Sequence, residues 1–169
     1  MKQKTFEERR DGITIKLVRV DHRLLHGQVA FSWINGLGAN CILIASDMAA
    51  NDEIWKTTLK LGKPQGVKLV IKNMKDSIAA INSGVTDKYK LIIIVQTIAE
   101  VKALVDGCPT IKSINLGNTK ESDLTTQIST QIFITPEEKD ILKGLVNKGI
   151  EVEIRPLADD RKIYVKDVL

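Results

Sequence analysis

Both histidines of this chain lie in one short stretch, Arg19-Val20-Asp21-His22-Arg23-Leu24-Leu25-His26-Gly27-Gln28-Val29, and that stretch is where chemistry is most readily placed. An imidazole is largely neutral and nucleophilic at pH 7. A histidine immediately before a glycine, at the start of a helix, is well placed for phosphoryl chemistry. The N–H groups of Gly27, Gln28 and Val29 could cradle phosphate oxygens, with the helix dipole in support. Arg23 offers a planar fork for the charge that develops on those oxygens. Asp21 could hydrogen-bond one imidazole or orient Arg23. Plainer roles stand beside these: a capping histidine, an Asp21–Arg23 pair that fixes the loop, and a glycine that relieves crowding. A metal site is disfavoured. His22 and His26 have the i, i+4 spacing of a helical zinc pair, but Arg23 stands where the glutamate of HExxH belongs and spacing identifies no third ligand. Thiol chemistry is disfavoured too, because neither Cys41, in an apolar run, nor Cys108, beside Pro109, has an activating context.

The elements that must position this loop follow from periodicity and punctuation. Ile13–Val20 reads as a strand, Gly27–Gly36 as a short helix closed at glycine, and Cys41–Ala45 as a buried strand. A helix over Asn51–Leu61 takes Asn51 as its N-cap, Val67–Ile71 is a strand, and Asn73 caps a helix that runs to Ile81 and ends near Gly84. Leu91–Val95 has lost its alternation, as a central strand covered on both faces does. Thr97 and Glu100 form a capping box for a helix to Val105, stopped by Gly107 and Pro109. Strands follow at Ile111–Asn115 and Gln131–Ile134. Thr135-Pro136-Glu137-Glu138 then starts a helix that ends at Lys148-Gly149. Ile150–Ile154 alternates as a strand, and Leu157–Leu169 has room for a short edge element. Regular strand–helix alternation predicts an α/β chain: a single domain with a mostly parallel central sheet and helices on both faces. In such sheets ligands gather beyond the carboxyl ends of the strands, where the histidine loop falls. Residues 1–12, dense in charge and without periodicity, read as a mobile N-terminal arm ahead of a domain over 13–169.

Composition narrows the classes. At 169 residues and 43% hydrophobic content, one domain can bury a real core without disulfides or metal. No apolar run approaches the roughly 20 residues of a membrane span, and the polar start lacks the apolar segment of a signal peptide, so the expected location is the cytoplasm. The net charge of +4 permits a nucleic-acid partner, but the basic residues are dispersed and the few aromatics stand singly, so none is expected. A receiver-type signalling domain is excluded by residues: the central strand ends Val95-Gln96-Thr97, with no acceptor aspartate.

RVDHRLLHGQV resembles the histidine loop of phosphotransferase-system IIB components of the mannose/fructose/sorbose class, whose usual form reads R-[IV]-D-D-R-[LI]-[IL]-H-G-Q-V. The likeness continues in Ala49-Ala50-Asn51-Asp52-Glu53-Ile54, in Pro64-Gln65-Gly66-Val67-Lys68-Leu69, in the glycine-containing loop Ile114-Asn115-Leu116-Gly117-Asn118, and in the closing helix–strand pair around Leu145–Val152. The resemblance implies that His26 accepts a phosphoryl group from a phosphohistidine of the IIA component. It would then pass the group to a sugar taken up through the membrane IIC/IID complex. Arg23 would steady the phosphate with Gly27 and Gln28, and Asp21 and His22 would support the loop. Such a carrier is a cytoplasmic phosphotransferase, held peripherally at the inner membrane face through IIC/IID. It needs no cofactor or bound metal, meets its sugar only at the membrane subunits, and has room to form a homo-oligomer. Transfer between proteins implies a shallow, exposed face around His26, with apolar patches and positive charge. A different class keeps the same pocket without covalent chemistry: a regulatory module that binds phosphate or a sugar phosphate. Two departures from the family form stand out: His22 replaces the second aspartate, and Asn118–Asp123 replaces a common glycine/methionine loop.

Overall fold

The structure, a computed structural model, describes residues 14–169; the expected arm and Ile13 lie outside the described residues. From Thr14 the chain forms β1 (Ile15–Asp21), α1 (Gly27–Leu37) and β2 (Cys41–Ala45). Two short helices, α2 (Asp47–Ala50) and α3 (Glu53–Leu61), lead to β3 (Lys68–Lys72), α4 (Met74–Ser83) and β4 (Leu91–Val95). Next come α5 (Ile98–Gly107), β5 (Ser113–Asn118), and a small hairpin of β6 (Thr126–Ser129) and β7 (Ile132–Ile134). The chain closes with α6 (Pro136–Asn147), β8 (Glu151–Ile154), β9 (Ile163–Tyr164) and a 3₁₀ turn at Val165–Asp167.

Among the described residues, seven strands make one sheet in the order β3-β2-β4-β1-β5-β8-β9. All neighbours are parallel except β8 and the edge strand β9. Alternate residues of the inner strands feed two separate cores, because a parallel sheet must be covered on both faces. Val18, Val20, Leu43, Ile93, Ile114 and Val152 pack with α4, α5 and α6, through residues such as Ile81, Leu104 and Leu142. Leu17, Ile42, Ile44, Ile92 and Ile94 pack with α1 and α3 instead, against Trp33, Ile34 and Leu59. Burying a side chain of this size contributes about 1.5–3 kcal/mol, so the two cores fix the sheet between its helical layers.

The single-domain, mostly parallel architecture agrees with the sequence expectation, and several local boundaries differ. Asn51 does not cap a helix over Asn51–Leu61. Ser46 caps α2, and Asp52 caps α3 by accepting from the Trp55 amide at 3.0 Å, while Asn51 closes α2. A carboxylate one residue nearer the helix reaches the free amide that Asn51 would have needed to reach. The helix after the histidine loop runs past Gly36 and stops at Gly38, whose φ of 63° is the left-handed cap. β5 lies over Ser113–Asn118, so Gly117 belongs to a strand and not to a loop. The hairpin partner β6, polar and half-buried at best, was not anticipated. The caps at Asn73, Thr97 and Thr135 and the edge strand in the C-terminal stretch stand where the sequence places them.

Candidate active site

The site begins inside β1. Val18 and Val20 face the α4–α6 core, so Arg19 and Asp21 face the α1 side, and both are buried. A buried charge must be paired. Asp21 Oδ2 accepts from Arg19 Nη2 at 3.2 Å and from His26 Nε2 at 2.8 Å, and Asp21 Oδ1 accepts from the Arg23 amide at 2.9 Å. Burial alone would push the Asp21 carboxyl up. The hydrogen bond from His26, the charges of Arg19 and His26 and the Arg23 amide together outweigh it and hold the group below its ordinary value. Asp21 is therefore a carboxylate and can only accept. Facing a carboxylate, Nε2 of His26 is the donor of that contact, and in the neutral ring Nδ1 then keeps the lone pair.

The loop that brings His26 back onto Asp21 is pinned by apolar burial. The Leu24 amide donates to the Asp21 carbonyl at 2.9 Å, closing a turn in which Leu24 takes a φ of 58°. That left-handed conformation costs a non-glycine residue of order 1–3 kcal/mol. Leu24 and Leu25 are both buried in the α1-side core, which offsets the strain. His26 is the N-cap of α1 in extended conformation, yet its side chain makes no capping bond, because the ring is turned to Asp21. Among the described residues no side chain therefore satisfies the first amides of α1, and Gly27 takes a φ of 40° that suits glycine.

A model of the family described as phosphotransferase system, sorbose subfamily IIB component, matches residues 15–169. The chain belongs to that family. Sorbose-type IIB components are phosphotransferases, and this chain is a phosphotransfer component of that type. It is 30% identical over 92% of its length to a probable phosphotransferase enzyme IIB component of Streptococcus pyogenes, of which it covers 99%. It is 29% identical to the mannose-specific EIIAB component of Escherichia coli and spans 49% of that protein's length. Among solved structures, the N-acetylgalactosamine-specific IIB component 1 of Escherichia coli is 29% identical and superposes with a TM-score of 0.82, covering 88% of this chain and 97% of that one.

Within this IIB fold, three of the six sequence-derived site residues meet directly: Asp21 accepts from the His26 ring and from the Arg23 amide. Asp21 pairs with Arg19, so the proposed Asp21–Arg23 ion pair does not form. Arg23 gives its amide, and its exposed guanidinium makes no hydrogen bond or ion pair among the described residues. His22 is half-buried; its amide donates to Asn118 Oδ1 at 3.0 Å and its carbonyl accepts from Gln96 Nε2. Burial, chiefly, lowers its affinity for a proton, and the charges of Arg23, His26 and Lys120 add to this while Asp21 opposes it. Gly27 is exposed, and Gln28 lies in the first turn of α1. The His26 side chain is only 14% exposed, a more enclosed ring than the open face that protein-to-protein transfer implies. The two thiols are buried and raised, Cys108 to about 11, which fits inert cysteines. Among the described residues, no group of three or more histidines, cysteines or acids is placed to hold a metal ion.

Sequence reasoning missed Arg19, Asn115 and Asn118. Arg19 donates from Nη1 to Asn115 Oδ1 at 2.8 Å and to the Arg155 carbonyl at 3.1 Å. One signal was available: in a strand with apolar residues on both faces, a charged residue flanked by Val18 and Val20 has to find a buried partner.

Proposed function

We propose that this IIB component carries the phosphoryl group on Nδ1 of His26. The observation that carries the reading is the 2.8 Å contact between His26 Nε2 and the Asp21 carboxylate, which leaves Nδ1 as the ring's free nucleophile. The donor is a phosphohistidine of a IIA component. The bond from phosphorus to the donor nitrogen breaks, its electron pair returns to the donor ring, and the Nδ1 lone pair forms the new bond. Asp21 steadies the positive charge that His26 takes on. The free amides at the start of α1 and the guanidinium of Arg23 meet the phosphoryl oxygens. The labile P–N bond then delivers the group to a sugar hydroxyl at membrane IIC/IID subunits, so the chain works in the cytoplasm at the inner membrane face.

Two further features favour serial docking of two proteins. Phe31, Met48 and Leu124 are largely exposed and lie on segments that follow the carboxyl ends of β1, β2 and β5. Arg23 and Lys120 add positive charge beside His22. The name of the mannose-specific relative, EIIAB, joins an A and a B component in one protein, which favours a IIA donor for this chain. The test is transfer of labelled phosphate from phosphoenolpyruvate through the general phosphotransferase proteins and a cognate IIA. Acid-labile label is expected on the wild type and on His22→Ala and is absent from His26→Ala. Label that persists in His26→Ala and vanishes in His22→Ala overturns the proposal.

A further inference from the structure

Gly117 and Arg19 form a device of their own behind the histidine. Val20 of β1 pairs with Leu116, and Asp21 pairs with Asn118, so Gly117 is the extra residue of a bulge in β5. Bulges are over-represented next to active sites, where they re-aim side chains. A methyl group built on Gly117 would overlap the guanidinium of Arg19, far inside van der Waals contact. The guanidinium thus fills the space beside a strand backbone that only glycine leaves bare. Its other edges are held as well: Nη1 by Asn115 Oδ1 and the Arg155 carbonyl, Nη2 by Asp21 Oδ2. Asn115 Nδ2 donates to the same Arg155 carbonyl at 3.1 Å, and Trp33 Nε1 donates to the carbonyl of Pro156 at 3.1 Å. The segment after β8 is therefore tied both to α1 and to the arginine.

We infer that Arg19, seated on Gly117, is a positioning residue for the transfer: it keeps Asp21 ionised and in place, and so keeps the proton of His26 on Nε2 and the lone pair on Nδ1. The inference rests on His26 as the acceptor. Its physical chain is short. Asp21 is fully buried, and burial by itself favours the protonated carboxyl. Without the guanidinium, Asp21 can keep its own proton and donate it to Nε2. The ring proton then moves to Nδ1, and the nucleophilic lone pair is lost. Arg23 cannot substitute, because it contributes an amide to the other carboxylate oxygen and its side chain is turned to solvent.

The experiment uses the full chain and two readouts. Long-range ¹⁵N NMR of the imidazoles reports the His26 tautomer without any phosphate. Phosphoramidate, a small phosphoryl donor, reports the rate at which the histidine takes up acid-labile phosphate. Gly117→Ala and Arg19→Gln are expected to move the ring from the Nε2–H form towards the Nδ1–H form and to slow labelling about tenfold or more. Arg19→Lys, which returns a cation but not the fork, is expected to recover part of the rate lost in Arg19→Gln. Wild-type tautomer and labelling within twofold of wild type in the folded variants would overturn the inference. Should these variants fail to fold, Asn115→Ala, which removes one acceptor from Nη1, is read the same way, and wild-type behaviour there also overturns it. Because the tautomer is measured without phosphate, failure of His26 to take label and failure of Arg19 to hold the ring are distinguishable results.

Discussion

Replacing Asp21 by asparagine keeps the shape of the side chain and removes its charge, and the surrounding contacts allow the cost to be worked out. Oδ2 faces donors from Arg19 and His26, while among the described residues Oδ1 faces only the Arg23 amide. The amide oxygen should therefore take the Oδ2 position, which sets NH₂ against the Arg23 N–H, two donors facing each other. Removing one partner of a buried ion pair costs about 3–5 kcal/mol. The asparagine still accepts at the Oδ2 position, so the lower end, about 3 kcal/mol, is expected. For a domain of this size 1 kcal/mol moves the melting point by about 2–4 °C, which gives a drop of roughly 6–12 °C. Transfer suffers separately, because a neutral amide cannot stabilise the charge His26 acquires. A loss of about 10²-fold, equivalent to about 2.7 kcal/mol of barrier, is expected. Thermal melts followed by circular dichroism give the first number, and rapid-quench transfer from a phosphorylated IIA component gives the second. A melting point within 2 °C of wild type, together with transfer within threefold, would refute the reasoning that Asp21 is the buried hub of the site.

Other outcomes follow from the same contacts. Arg23→Lys should leave stability within about 0.5 kcal/mol, since the side chain has no hydrogen-bonded partner among the described residues, while slowing transfer about tenfold, because an ammonium cannot match two phosphoryl oxygens; unchanged transfer would make Arg23 a bystander. His22→Asp should retain acid-labile phosphate with at most a change of rate, and loss of label would contradict this. Two groups of the site contribute separably to the pH dependence of stability. Asp21 is depressed in the fold, so its contribution is fully present above the unfolded value and is lost as pH falls through the folded one. His22 binds its proton more weakly when folded, so the unfolded chain protonates first and stability falls as pH drops below about 6.5. Calorimetry of His22→Gln should show a flatter profile between pH 5 and 7 than wild type, and identical profiles would contradict the assignment.

What could be read from the residues alone is what is decided locally. Asn73, Thr97 and Thr135 cap helices through atoms three residues away, and the lost alternation of Leu91–Val95 reflects the two cores around it. The cluster of Asp21, Arg23 and His26 was legible because these residues are contiguous in sequence, and the loop carries the proposed acceptor. Arg19 was not, since its partners Asn115 and Arg155 lie 96 and 136 residues away and are brought together only by strand order. The place of Gly117 was misjudged for a related reason: a bulge is a property of two strands in register, and neither strand carries that register by itself. At Asn51 and Asp52 both residues are good caps, and sequence had no means of choosing between adjacent acceptors.

The central claim is that His26 is phosphorylated on the nitrogen that Asp21 leaves free. It is tested most directly by phosphorylating the ¹⁵N-labelled chain through phosphoenolpyruvate, the general phosphotransferase proteins and a IIA component, then recording ¹⁵N and ³¹P spectra before the label decays. Phosphorus coupled to Nδ1 of His26, with a proton retained on Nε2, is the predicted result. Phosphorus on Nε2 of His26, or on either nitrogen of His22, would contradict it.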